Sequence, residues 1–173
     1  DTRRVRPTGL VGEIVIPPDK AGEVAQLART PLIFGFQSGW AKFQLATVHI
    51  LWGGEDENQP ARVKEIEALA RLLAKRAKSK ADVEDDNLII LGDFNEWGRG
   101  LVADVLAERL SSVDLYPHLR RRRTYPGFFP LLHLDHIYFS GNIEIRRVEL
   151  PRTRLALVAS DHLPLVADLR IKF

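Results

Sequence analysis

Cysteine and methionine are both missing from this chain of 173 residues. Without thiols there is no disulfide, no thiolate nucleophile and no zinc–thiolate site. A chain without cysteine suits either side of a membrane, so the compartment stays open. No apolar run approaches the roughly 20 residues that a membrane-spanning helix needs, and no basic-then-apolar leader opens the chain. Internal repeats, linkers and low-complexity tracts are absent as well. An excess of one charge is also lacking: 25 Lys and Arg face 23 Asp and Glu, a formal net of +2. That balance permits an anionic partner without requiring one. The chain opens on Asp1 with no initiator methionine, which we read as a fragment, a processed product or an engineered chain.

What is present places the chain among globular domains. Hydrophobic residues make up 45% and charged residues 28% of the sequence, enough for one domain over residues 1–173 to bury a core. Residues 10–16 read as a strand closed by Pro17 and Pro18. Residues 32–36 and 43–51 are rich in β-formers, and the Gln37-Ser38-Gly39-Trp40 turn between them predicts a hairpin. Pro60 suits the first position of a helix in which Val63, Ile66, Leu69 and Leu73 recur at helical spacing, ending in a basic turn over residues 75–80. Residues 88–91 form a short continuous apolar run, as in a strand covered on both faces. A second helix is expected over 101–110, an irregular stretch over 116–130, and strands over 134–139, 143–150 and 163–171. Strands outnumber helices, which predicts an α+β layered domain with mixed sheets.

Polar residues fall where these strands begin and end. TVHI sets His49 in an aliphatic strand. LGDFN sets Asp93 and Asn95 just past a buried one. LDHIYF sets Asp135 and His136 at a strand start, and ASDHLPL sets Asp161 and His162 before the last strand. Residues i and i+2 of a strand share a face, so Asp93 and Asn95 point into one pocket if extended geometry continues there. A carboxylate beside an amide can bind a hard cation and a phosphoryl oxygen, and histidine is the side chain best suited to proton transfer near neutral pH. Each piece has a plainer reading: Gly-Asp after a strand is often a turn, Asp135 can cap one, and His49 alone reads as a core histidine.

Taken together, LIILGDFN, LDHIYF and ASDHLPLVADL, in this order, resemble the endonuclease/exonuclease/phosphatase superfamily of DNase I-like nucleases, apurinic-site endonucleases, inositol polyphosphate 5-phosphatases and sphingomyelinases. TVHI and the Thr124-Tyr125-Pro126 stretch fit the same pattern. The resemblance covers the chain from about Leu32 onward. It implies a DNase I-like four-layered α/β sandwich with mixed β-sheets, in a partial version, and metal-dependent hydrolysis of phosphodiester bonds by in-line attack of water. Asp93 would orient or activate that water, and Asn95 would hold the phosphate. Asp135 would orient His162, the general base or a phosphate contact. His49 would touch the phosphate or assist the leaving group, and Asp161 with Asp93 would hold Mg²⁺ or Mn²⁺.

The family pattern also has an early strand carrying Asn and a strand ending in Gln-Glu, whose Glu is the main metal ligand. Neither is found here: Glu13 lies in a hairpin-like run and Glu23 in a polar loop. The metal site and one sheet are therefore expected to be incomplete, with an edge for a second copy of the chain or an N-terminal half to cover. Arg123, in the run Arg120-Arg121-Arg122-Arg123, could contact a nucleic-acid backbone, and its plainer reading is a solvated loop. Trp40, Trp97, Tyr125, Phe128 and Phe129 read either as a stacking surface or as core plugs. Three functions follow: a phosphodiesterase acting on nucleic acid, a phosphatase or phosphodiesterase acting on a phospholipid or small phosphoester, or a non-catalytic fragment that assembles with itself or a partner.

Overall fold

A computed structural model describes residues 3–13, 15, 29–52, 60–77, 87–96, 100–107, 110–113, 115, 117–140 and 143–172, without the side chains of 61, 70–77 and 101. The first three strands, β1 (Arg6–Glu13), β2 (Leu32–Ser38) and β3 (Ala41–His49), form an antiparallel meander. The β2–β3 hairpin closes at Ser38 and Ala41, with Gly39 at φ 58°, a backbone setting that glycine adopts without Cβ strain. Helix α1 (Pro60–Ala77) then crosses over, and β4 (Asn87–Asp93) returns parallel to β3, the connection that parallel neighbours require.

Helix α2 (Leu101–Ala107) and the two-residue strand β5 (Ser111–Ser112) lead to β6 (Asp135–Phe139). The six-stranded sheet runs β1-β2-β3-β4-β6-β5. A second, two-stranded sheet pairs β7 (Ile143–Glu149) with β8 (Val166–Ile171), and helix α3 (Arg154–Ala159) lies between them in sequence.

The apolar run of β4 is explained by its two faces. Leu88 and Ile90 join Ile66, Leu69, Val102, Leu106 and Phe94 in a core under α1 and α2. Ile89 and Leu91 face the opposite way, toward a core that includes Val148, Ile145 and Leu169 of the small sheet. Alternation along one strand thus serves two layers, and both sets of side chains are apolar because neither face of β4 meets water.

Several expected boundaries move. The first strand begins at Arg6 rather than residue 10, because β2 gives it partners from Gln37 onward. Its predicted end at residue 16 and the prolines after it lie outside the described residues, as do Glu23 and Trp97. The expected strand over 163–171 starts only at Val166, and the stretch before it holds α3, capped by the Thr153 hydroxyl accepting from the Ala156 N–H. This helix was missed because its apolar residues make no buried stripe: Leu155 and Val158 are 74% and 75% exposed. Strand β5 is too short to leave a pattern. Trp40, Phe128 and Phe129 are exposed, which overturns their reading as core plugs.

Candidate functional site

Strand register builds the site. His49 is paired with Asp93 across the parallel β3–β4 ladder, and Asp93 is paired with Asp135 across the antiparallel β4–β6 ladder. Three polar side chains from distant segments therefore sit in one row at the ends of three adjacent strands. Gly92 makes the row possible. Its φ is +146°, and a Cβ there would lie 1.9 Å from the Val48 carbonyl oxygen. Only glycine lets β4 approach β3 this closely just before Asp93.

Beyond Asp93 the chain turns. Asn95 takes a left-handed φ of 50°, a setting asparagine tolerates better than most residues. Extended geometry therefore does not continue from Asp93 to Asn95, as the i, i+2 expectation required. A turn brings both into the cleft instead. The Asn95 backbone N–H donates to Asp93 Oδ1 at 2.8 Å, and its side-chain Nδ2 donates to the Ile50 carbonyl at 2.8 Å.

The loop before β8 supplies the fourth side. His162 Nδ1 lies 2.8 Å from Asp135 Oδ2, and its Nε2 lies 3.8 Å from Asp93 Oδ2. His49 Nε2 approaches the same Asp93 oxygen at 3.5 Å. The His162 ring packs against Tyr125, with centroids 4.9 Å apart. Two imidazoles thus flank one carboxylate, and a second carboxylate orients one of them. Burial pushes the Asp93 carboxyl above its ordinary value; the Asn95 N–H opposes this, Asp135 adds to it, and the two histidines oppose it.

These residues line a cleft of about 690 Å³ together with Arg29, Trp52, Ser160 and Asp161. The structure therefore brings together His49, Asp93, Asn95, Asp135, Asp161 and His162. Arg123 is exposed and is not among the lining residues; Arg29, which composition gave no reason to single out, is. The side chain of His49 is 47% accessible, which corrects its reading as a core histidine. His136 faces away from the cleft. Its Nε2 lies 3.1 Å from the Glu96 carbonyl oxygen, and its ring packs against His133 and Phe94, as strand alternation from Asp135 dictates.

Among the described residues no group of three or more His, Asp or Glu side chains is arranged to hold a metal. Of the three carboxylates that line the cleft, Asp135 is engaged by His162 Nδ1, which leaves Asp93 and Asp161. That set suits Mg²⁺, which is commonly held by one or two carboxylates and completes its shell with water and substrate phosphate.

A third set of residues lies directly behind the cleft and was missed from sequence. Arg62 and Glu65 of α1 are buried, as is Glu96. The signal was legible in retrospect: Arg62 is charged yet shares a helical stripe with Ile66 and Leu69.

Comparison with known proteins agrees with this architecture. A model described as the Endonuclease/Exonuclease/phosphatase family matches residues 20–162. The uncharacterized protein YbhP of Escherichia coli (strain K12) is 33% identical over 90 residues, covering 51% of this chain and 35% of YbhP. The match thus spans about a third of that relative's length. A mannosyl-6-phosphatase of Bacteroides thetaiotaomicron superposes with a TM-score of 0.71 at 20% identity, over 98% of this chain and 68% of that one. TDP2 of D. rerio, solved with a single-strand DNA product, gives 0.68 at 21% identity, over 98% and 70%. The fold is a partial DNase I-like fold, matching about 60–70% of the chains of such structures.

Proposed function

Because this chain belongs to the endonuclease/exonuclease/phosphatase family, we propose that it hydrolyses a phosphoester, most naturally a phosphodiester, by in-line attack of water. The observation that carries this reading is the row His49–Asp93–Asp135 closed by His162, in which one imidazole is oriented by Asp135 at 2.8 Å. Proteins of this fold include a mannosyl-6-phosphatase and a TDP2 crystallised with a single-strand DNA product, which makes a sugar phosphate and single-stranded DNA the first substrates to try.

Asp135 accepts the His162 Nδ1–H, which leaves Nε2 facing the cleft as a proton acceptor. Asp93 has one oxygen committed to the Asn95 N–H and turns the other toward both imidazoles. That free oxygen orients the water, whose proton passes to His162 Nε2 as its oxygen bonds to phosphorus. The ester P–O bond opposite breaks, and the departing oxygen takes a proton from His49. Asn95, anchored through the Ile50 carbonyl by one Nδ2–H, donates the other Nδ2–H to a phosphoryl oxygen. Members of the family typically use divalent metals, and Asp93 with Asp161 would hold a Mg²⁺ or Mn²⁺ ion. Such an ion supplies positive charge against the charge that develops on the phosphoryl oxygens.

The test is release of nitrophenolate from bis(p-nitrophenyl) phosphate with Mg²⁺, with Mn²⁺ and with EDTA. Metal-dependent turnover that disappears in Asp93→Ala and His162→Ala supports the reading. No turnover from a cooperatively folded protein sinks it, and favours the alternative of a catalytically incomplete fragment. The two-carboxylate metal set is the observation that keeps this alternative in play.

A further inference from the structure

The buried charges behind the cleft are arranged as a clamp on its two loops. Arg62 Nη1 donates to the Leu51 carbonyl at 2.8 Å and to the Phe94 carbonyl at 2.9 Å. One turn further along α1, Glu65 Oε2 accepts the Leu51 N–H at 2.9 Å. Residue 51 is therefore held by both its N–H and its C=O, from two side chains three apart on one helix face. Leu51 lies two residues past His49, and Phe94 stands between Asp93 and Asn95. One nitrogen of Arg62 thus ties together the segments leaving β3 and β4, which adjoin His49 and Asp93 and include Asn95. Glu96 Oε1 lies 3.7 Å from Arg62 Nη2, and its carboxylate accepts the Val102 and Ala103 N–H groups at the start of α2. A Cβ at Gly100 would lie 2.2 Å from Glu96 Oε1, so a glycine makes room for this carboxylate.

We propose that Arg62 is a positioning residue for the phosphoester chemistry, setting the distance between the His49 and Asp93–Asn95 loops, with Glu65 and Glu96 as its supports. The inference rests on the proposed activity for its kinetic readout only. A fully buried guanidinium is costly to keep unless it is bonded, and a hydrophobic residue would pack there at lower electrostatic cost. What a hydrophobic residue cannot do is bridge two carbonyls from separate loops. The Asn95 Nδ2 bond to the Ile50 carbonyl spans the same gap from the cleft side, so a change in the gap is read out by Asn95. Reacting groups displaced by about 1 Å lose on the order of 100-fold in rate.

The experiment compares Arg62→Lys with the wild type and with Lys64→Gln, an exposed change on the same helix. The lysine keeps the charge beside Glu96 but is too short to serve both carbonyls. A fall in kcat of roughly 10–100-fold with KM within about threefold is expected, accompanied by a shift and faster exchange of the Asn95 side-chain amide protons in NMR spectra. Lys64→Gln changes neither. Wild-type kcat in Arg62→Lys, or a lowered kcat with an unmoved Asn95 amide, overturns the proposal. If the wild type itself turns over no phosphoester, the proposed function fails, and the Asn95 amide alone decides on the clamp. If Arg62→Lys does not fold, the wild-type guanidinium is read directly: slowly exchanging Nη protons support the clamp, and freely exchanging ones refute it.

Discussion

Two groups of charged residues lie back to back across the same strand ends, and they differ in exposure and in partners. Behind the loops, Arg62, Glu65 and Glu96 are buried and bonded to named carbonyls and N–H groups. In front, Asp93 shares one oxygen between two imidazoles at 3.5 and 3.8 Å, beyond hydrogen-bond distance, and burial holds its carboxyl above the usual range. The rear group spends its hydrogen bonds on holding position. The front group bonds within itself, His162 to Asp135 and the Asn95 N–H to Asp93, and leaves one Asp93 oxygen facing the cleft.

The contrast can be broken from the front with the largest effect. Asp93→Ala and His162→Ala are expected to lower turnover of a phosphodiester by about 10²–10⁴-fold, measured at saturating metal, while urea denaturation shows both variants still folded. From the rear, the loss shows as stability. Glu96→Ala removes a buried carboxylate 3.7 Å from Arg62 together with its two bonds at the start of α2, and is expected to cost about 3–5 kcal/mol in urea denaturation.

A third probe is pH. Burial, with the neighbouring His136, lowers the His133 pKa to about 4, and its Nε2 finds no hydrogen-bond partner among the described residues. An unfolded chain takes up this proton near pH 6.5, before the folded protein does. The stability contribution of neutral His133 is therefore full above about 6.5 and is lost as pH falls toward 4, by at most about 3 kcal/mol. His133→Phe should flatten denaturation midpoints measured across that window.

Smaller effects sharpen the comparison. Asp93→Asn removes the ill-matched charge without changing shape, so its melting temperature is expected to rise, by a gain of about 1 kcal/mol or less, while activity disappears. A lower melting temperature would show that the front group supports the fold after all. Trp40→Ala, at a 92% exposed turn position remote from both groups, is expected to change stability by no more than about 0.5 kcal/mol.

The site was legible because strand ends are local events. GDFN, DHI and SDH each place a charged or titratable residue against an aliphatic strand, and that contrast shows in any window of ten residues. The partners of the rear clamp were not legible, for the opposite reason. Arg62 bonds carbonyls 11 and 32 residues away, and its place on the apolar stripe of α1 does not say which backbone groups it meets. Helix α3 escaped because it buries none of its apolar residues, so periodicity had no core to report. Arg123 drew attention as part of a charge run, whereas Arg29, isolated in sequence, is the arginine that lines the cleft among the described residues.

By itself the sequence determined the chemistry available: no thiols, three imidazoles and three carboxylates near strand ends, a glycine before Asp93 and an asparagine after it. It also determined which strand would be buried on both faces. Only the tertiary structure decided that β3 and β4 run parallel and β4 and β6 antiparallel, because ladder direction depends on which surfaces the crossover helix must cover. That choice of register puts His49, Asp93 and Asp135 in one row. It also leaves the Leu51 and Phe94 carbonyls pointing back to where Arg62 can hold them.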